Sequence, residues 1–214
     1  MRLYFKKTLN IFSAVCIVLS CLFLSGHAHS APKTLLVLGD SLSAEYGLSR
    51  GTGWVALLEK KLASKKINRR VINASISGET SSGGKARLAA LLKIHQPEIV
   101  IIELGGNDAL RGLDLNVSEQ NFRDMINMSK ENKAKPLLVA MQIPPNYGKA
   151  YTEKFFSMYA KLAKETHTAL VPFFLKGVAE KSELFQADRI HPTAEAHPIM
   201  LENVWGPLQK LIKK

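Results

Sequence analysis

Cysteine is nearly missing from this chain. Its 214 residues include only Cys16 and Cys21, both within the first thirty. Beyond residue 30 the sequence therefore offers no disulfide, no cysteine nucleophile and no thiolate ligand for a metal. A domain of the remaining size can rest on its apolar core alone. Internal repeats are missing too: no period of about 20 to 50 residues recurs, which excludes a solenoid or propeller. Basic residues are present but dispersed, as in Lys60-Lys61, Lys65-Lys66 and Lys213-Lys214. No basic run is interleaved with aromatics, so nucleic acid is not the expected partner.

What is there fits one ordinary globular domain, with 46% hydrophobic and 22% charged residues. The first thirty residues stand apart. Arg2, Lys6 and Lys7 open the chain, Leu9 to Leu24 is almost wholly apolar, and Ala28-His29-Ser30 puts small residues where a signal peptidase reads. This pattern predicts a signal peptide over residues 1–30, cleaved before Ala31, and a domain over 31–214 in the periplasm or outside the cell. The competing readings are an uncleaved anchor, since the apolar run approaches spanning length, and a lipoprotein. The latter is a looser match, because the apolar run continues past Leu19-Ser20-Cys21. Losing Arg2, Lys6 and Lys7 takes the formal charge from +11 to +8. Such an excess serves solubility and favours, at most, peripheral contact with anionic lipid.

Strands and helices alternate along the rest. Short apolar runs predict strands over Thr34–Leu38, Arg70–Ala74, Glu98–Leu104, Pro136–Ile143 and Ala169–Phe173. Helical spacing covers Gly53–Leu62, Thr80–Lys93, a stretch capped by Ser118 and running to Glu131, Tyr151–Glu165, and Thr193–Ile212 with breaks at Pro198 and Pro207. The fold class is α/β, a five-stranded parallel sheet with helices on both faces. Ligands of such sheets gather at the carboxyl ends of the strands. The segments there are Gly39-Asp40-Ser41-Leu42, Ser75 to Thr80, Gly105-Gly106-Asn107-Asp108, Pro144 to Gly148, and Asp188-Arg189-Ile190-His191-Pro192.

A serine hydroxyl needs a base to take its proton, and the base needs a third group to orient it. Ser41 lies where the first strand is expected to turn into a helix, whose amino end favours negative charge. Four histidines follow residue 30. His95 and His167 sit at helix carboxyl ends, where they complement the dipole, and His197 falls within the last helix. Only His191 lies in a loop with a carboxylate three residues upstream, Asp188. Each piece has a plainer reading: Asp40-Ser41 as a helix cap, Asp188 as a turn cap and Gly105 to Asp108 as a tight turn. Asp-x-x-His alone occurs by chance in roughly one chain in five, and Gly-Asp-Ser-Leu in roughly a few per thousand. Their combination on one sheet edge points to nucleophilic catalysis. Gly78 to Ala86 is not a phosphate loop, because it has one residue too many before Lys85 and Ala86 where Ser or Thr is needed.

These segments resemble the GDSL (SGNH) hydrolase family, whose Ser, Gly, Asn and His markers fall on Ser41, Gly78, Asn107 and His191. The stretches LLVLGDSLS (35–43), NASISG (73–78), ELGGND (103–108) and PNYG (145–148) are similar to its bacterial thioesterase, lysophospholipase and arylesterase branch. The resemblance implies a three-layer flavodoxin-like fold, export to the periplasm, and hydrolysis of small acyl esters or thioesters, lysophospholipids among them, without metal or organic cofactor; a monomer is the expected state. It assigns Ser41, His191 and Asp188 to a triad. The oxyanion falls to the backbone N–H groups of Ser41 and Gly78 and the Asn107 amide, and the acyl groove to Asp108, Ala109, Leu110, Pro144 and Tyr147. Two residues depart from that branch: Glu45 where it has Gly, and Glu79 where it has Asp. A carbohydrate O-acetylesterase and a non-catalytic acyl-binding protein on the same fold are the alternatives.

Overall fold

The computed structural model describes residues 32–213. The expected signal peptide and its cleavage point lie outside them. Five parallel strands form one sheet: β1 (Lys33–Gly39), β2 (Arg69–Asn73), β3 (Ile99–Glu103), β4 (Lys135–Val139) and β5 (Ala169–Val171), in the order β2-β1-β3-β4-β5. That is the flavodoxin-like order. The helices are α1 (Trp54–Ser64), α2 (Ser81–His95), α3 (Gly106–Leu110), α4 (Leu115–Glu131), α5 (Lys149–Glu165) and α6 (His197–Lys213). α1 and α6 pack together on one face of the sheet, and α2, α4 and α5 on the other, giving three layers. Because both faces are covered, β3 is apolar up to its last residue, Glu103, and Ile99, Val100, Ile101 and Ile102 are fully buried.

Several boundaries differ from the expected ones. The helix expected to start at Ser118 starts one turn earlier, capped by Asp114, whose Oδ1 accepts from Asn116 N at 2.8 Å. Burial of Leu115 explains the added turn, and Ser118 is spent elsewhere, its Oγ donating to Asp108 Oδ1 at 2.9 Å. β4 ends at Val139 instead of running to Ile143, although Ala140 N still donates to Val171 O at 3.0 Å. β5 likewise stops at Val171. The last segment opens with a 3₁₀ turn, Ala194–Ala196, and then runs unbroken through Pro207. Pro198 sits in the first turn, where no donor is required. Pro207 forfeits one helical bond, but burial of Val204, Trp205 and Leu208 carries the helix past it.

The Gly83-Gly84 pair has a packing explanation. A Cβ on Gly84 would sit 2.4 Å from Leu104 Cδ1, so the glycine lets α2 lie close against the end of β3. Gly84→Val is expected to lower stability by about 1–3 kcal/mol through overpacking, measured by urea unfolding.

Candidate active site

The first component is a turn. β1 leaves the core at Gly39, where a Cβ would meet Ser43 Oγ at 2.7 Å and Glu103 Oε2 at 2.8 Å, so glycine is what allows Ser43 to fold back. Asp40 O then accepts from Ser43 N (3.2 Å) and Ala44 N (3.0 Å), and Ser41 O from Tyr46 N (3.3 Å). The segment is a run of turns and not the expected helix, because Glu45 takes a left-handed φ of 58° that breaks helical progression. Ser41 is half-buried on this turn, while Leu42 and Ser43 beside it are buried.

The second component is the loop carrying His191. It is closed at its base by Gln186 N donating to His191 O (2.7 Å) and Thr193 N to Leu184 O (2.8 Å). Within it, Asp188 Oδ1 accepts from Ile190 N (2.9 Å) and His191 N (3.0 Å), while Oδ2 lies 2.6 Å from His191 Nδ1. The backbone N–H of His191, then its side chain, and then the N–H of Ile190 hold the Asp188 carboxyl down at about 2. An ionised Asp188 accepts a hydrogen bond from Nδ1–H, which leaves the Nε2 lone pair free. Nε2 lies 3.0 Å from Ser41 Oγ. Asp188 thus caps the turn and bonds to the imidazole with the same carboxylate. Ser41, His191 and Asp188 are brought into one chain of hydrogen bonds.

The third component surrounds Ser41. Ile76 N donates to Gly39 O at 3.1 Å, which carries the Gly78 loop alongside the end of β1, and Asn73 Nδ2 ties the two together by donating to Ser43 O at 2.7 Å. Asn107, on α3, donates both amide hydrogens: to Asp40 Oδ2 (3.1 Å) and to Glu79 O (3.0 Å). Beneath them lies a buried polar group. Glu103 Oε2 accepts from Ser43 Oγ (2.6 Å) and Asp40 N (3.4 Å), and Ser43 Oγ accepts from Trp54 Nε1 (3.0 Å). Burial, reinforced by neighbouring Asp40, pushes the Glu103 carboxyl well above the usual range. Burial likewise raises Asp40 to about 6. His197 is structural: burial lowers it to about 4, and its Nδ1 accepts from Trp54 N at 2.9 Å, fixing the start of α1.

The residues expected to line an acyl groove separate into two groups. Asp108 and Ala109 are buried, contrary to expectation. Asp108 faces inward, accepting from Ser81 N (2.9 Å), Ser81 Oγ (2.5 Å) and Ser118 Oγ, so it anchors α3 to α2 and α4. Leu110 is half-buried, and Pro144 and Tyr147 are exposed. Ile76, Leu113 and Ile190, which fall in segments expected at the strand ends or along the groove, are exposed, and so is Tyr46, which sequence reasoning does not single out. Nor does it single out Glu103, although a carboxylate ending an otherwise apolar strand is a readable signal. Among the described residues no cluster of His, Cys, Asp and Glu is arranged to hold a metal. A surface groove of about 620 Å³ between the end of α1 and the start of β2 lies at the opposite end of the strands from Ser41.

Because the folded protein holds Asp40 at about 6, against an ordinary 3.8, the folded state binds more protons as pH falls through 6. The stability this group contributes is present at low pH and lost as pH rises through about 6. Wild type should gain stability relative to Asp40→Asn between pH 7.5 and pH 5 in urea unfolding. A difference that does not change with pH would contradict the assignment.

Known proteins share this arrangement of segments. The model of the GDSL-like Lipase/Acylhydrolase family matches residues 37–199. Esterase TesA of Pseudomonas aeruginosa is 51% identical over 183 residues, covering 86% of this chain and 91% of that protein. Thioesterase 1/protease 1/lysophospholipase L1 of Escherichia coli is 48% identical, covering 86% of each. The crystal structure of the psychrotrophic esterase EstA from Pseudoalteromonas sp., inhibited by monoethylphosphonate, superposes with a TM-score of 0.81 at 40% identity over 85% of this chain and all of that one. With the family model spanning most of its length and relatives near half identical, this chain belongs to the GDSL-like lipase/acylhydrolase family.

Proposed function

We propose that the protein hydrolyses carboxylic esters and thioesters, lysophospholipids among them, through an acyl-enzyme on Ser41. The observation that carries this reading is the continuous relay from Asp188 Oδ2 through His191 to Ser41 Oγ, at 2.6 and 3.0 Å. Its length and order are those a nucleophilic hydroxyl needs to lose its proton as it attacks. The names borne by the relatives, esterase and thioesterase/lysophospholipase, support the substrate class.

His191 Nε2 takes the Ser41 proton as Oγ attacks the acyl carbon, and the Asp188 carboxylate stabilises the imidazolium through Nδ1–H. The developing oxyanion is held by the backbone N–H groups of Ser41 and Gly78 and by the Asn107 amide. Asn107 redirects one of the two hydrogens it otherwise gives to Asp40 and to the Glu79 carbonyl. The imidazolium returns its proton to the leaving alcohol or thiol. Water, deprotonated by the same Nε2, then releases the acid. Leu110, Pro144 and Tyr147 border the acyl chain, while buried Asp108 and Ala109 support that border from within. The enzyme acts as an exported monomer, its first thirty residues removed between Ser30 and Ala31.

The test is hydrolysis of p-nitrophenyl esters from acetate to palmitate, and of an acyl thioester, by residues 31–214. Ser41→Ala should reduce kcat to background with folding intact. Asn107→Ala should cost about 2.7–4 kcal/mol of barrier, seen mainly in kcat. Preference for medium or long chains supports lipid substrates, whereas preference for acetate moves the carbohydrate O-acetylesterase reading forward. Equal inactivity of wild type and Ser41→Ala on all of them would leave acyl binding without turnover.

A further inference from the structure

Hydrogen bonds at Nδ1 and Nε2 hold the imidazole between Asp188 and Ser41, and both act in the ring plane. Rotation of the ring out of that plane misaligns both bonds, and neither bond touches the ring faces, where such a rotation is blocked by packing.

An aromatic ring stands against that rotation. Tyr46 lies with its ring centroid 4.2 Å from that of His191, the planes inclined by 35°. It is 49% exposed, and its hydroxyl has no hydrogen-bond partner among the described residues, so its contribution is made through the ring. The imidazole side chain is only 18% exposed. The two loops are clamped together from outside the relay. Gln186 Nε2 donates to Tyr46 O on one loop and Pro192 O on the other, each at 3.0 Å, although Gln186 and Tyr46 are 140 residues apart. The Tyr46 loop is in turn closed by Glu45, whose Oε1 accepts from Gly51 N (3.0 Å) and Gly53 N (2.8 Å).

We propose that Tyr46 is a positioning residue for His191. Its ring bears on the imidazole face and holds it in line between Asp188 and Ser41, and the Gln186 side chain fixes the separation of the two loops. The ring face also favours the imidazolium that forms as Ser41 attacks, since a cation within about 6 Å of an aromatic centroid is attracted to it. This assignment rests on His191 being the general base.

The experiment pairs kinetics on p-nitrophenyl acetate with proton NMR of the His191 ring, in Tyr46→Leu, Tyr46→Phe and Gln186→Ala. Tyr46→Leu should lower kcat by about tenfold or more with KM within about twofold, because misalignment affects the transition state more than ground-state binding. Tyr46→Phe should restore both to within about twofold. Gln186→Ala should fall in the same direction as Tyr46→Leu. A rise in KM at unchanged kcat would make Tyr46 a substrate contact and overturn the proposal, as would no change in either. The NMR arm needs no turnover: the His191 ring protons should be shielded in wild type, in Tyr46→Phe and in Ser41→Ala, and lose that shielding in Tyr46→Leu. Shielding in a protein that hydrolyses nothing would uphold the placement of Tyr46 and remove the reaction it serves. Its absence from an active wild type would overturn the placement.

Discussion

The structure depends on a carboxylate buried at the end of its central strand. Glu103 closes β3, and its Oε2 receives Ser43 Oγ at 2.6 Å and Asp40 N at 3.4 Å from the turn that bears Ser41. Ser43 Oγ also accepts the indole N–H of Trp54, and Trp54 N donates to His197. One buried polar chain thus joins β3, the Ser41 turn, α1 and the start of α6. Burying a carboxyl is costly unless it is hydrogen-bonded or neutralised. Here it is both bonded and pushed well above its ordinary pKa. The consequence is that Ser41 stands on the rigid end of the sheet and not on a free loop.

The His191 loop is rigid for a different reason. It is exposed and carries little apolar weight, so its order comes from its own hydrogen bonds. Asp188 accepts two backbone N–H groups from the segment it orients, besides the imidazole. A carboxylate so supplied stays ionised far into acid, with its value held at about 2. Asp40 moves the other way, to about 6, because burial outweighs its hydrogen bonds. Two carboxylates near one serine are thus separated in pKa by surroundings alone.

Much of this was legible in the sequence where the signal was periodic or local. The uninterrupted apolar run of β3 announces a strand covered on both faces, and alternation of strands with helices gives the parallel sheet and its reactive edge. Asp188 and His191 are three residues apart, so their pairing is nearly a local matter. Other features depend on tertiary contact and leave no such trace. Ser118 has the composition of a cap, yet its hydroxyl is drawn inward by Asp108, and burial of Leu115 moves the helix start to Asp114. Asp108 reads as a loop residue beside Asn107, but its carboxylate points into the α2–α4 junction. Tyr46 meets His191 only because β1 and the segment after β5 finish at the same edge, and Gln186 bridges residues that no spacing rule connects. Pro207 would end an isolated helix, but the sheet beneath α6 keeps it intact.

The central claim is that Ser41 alone becomes covalently acylated. It is tested most directly by treating the protein with a fluorophosphonate that mimics the tetrahedral oxyanion, followed by intact-mass and peptide mass spectrometry. The account predicts a single adduct, on the peptide containing Ser41, that forms slowly or not at all in His191→Ala. Stoichiometric labelling at another residue, or full ester hydrolysis with Ser41 unmodified, would contradict it.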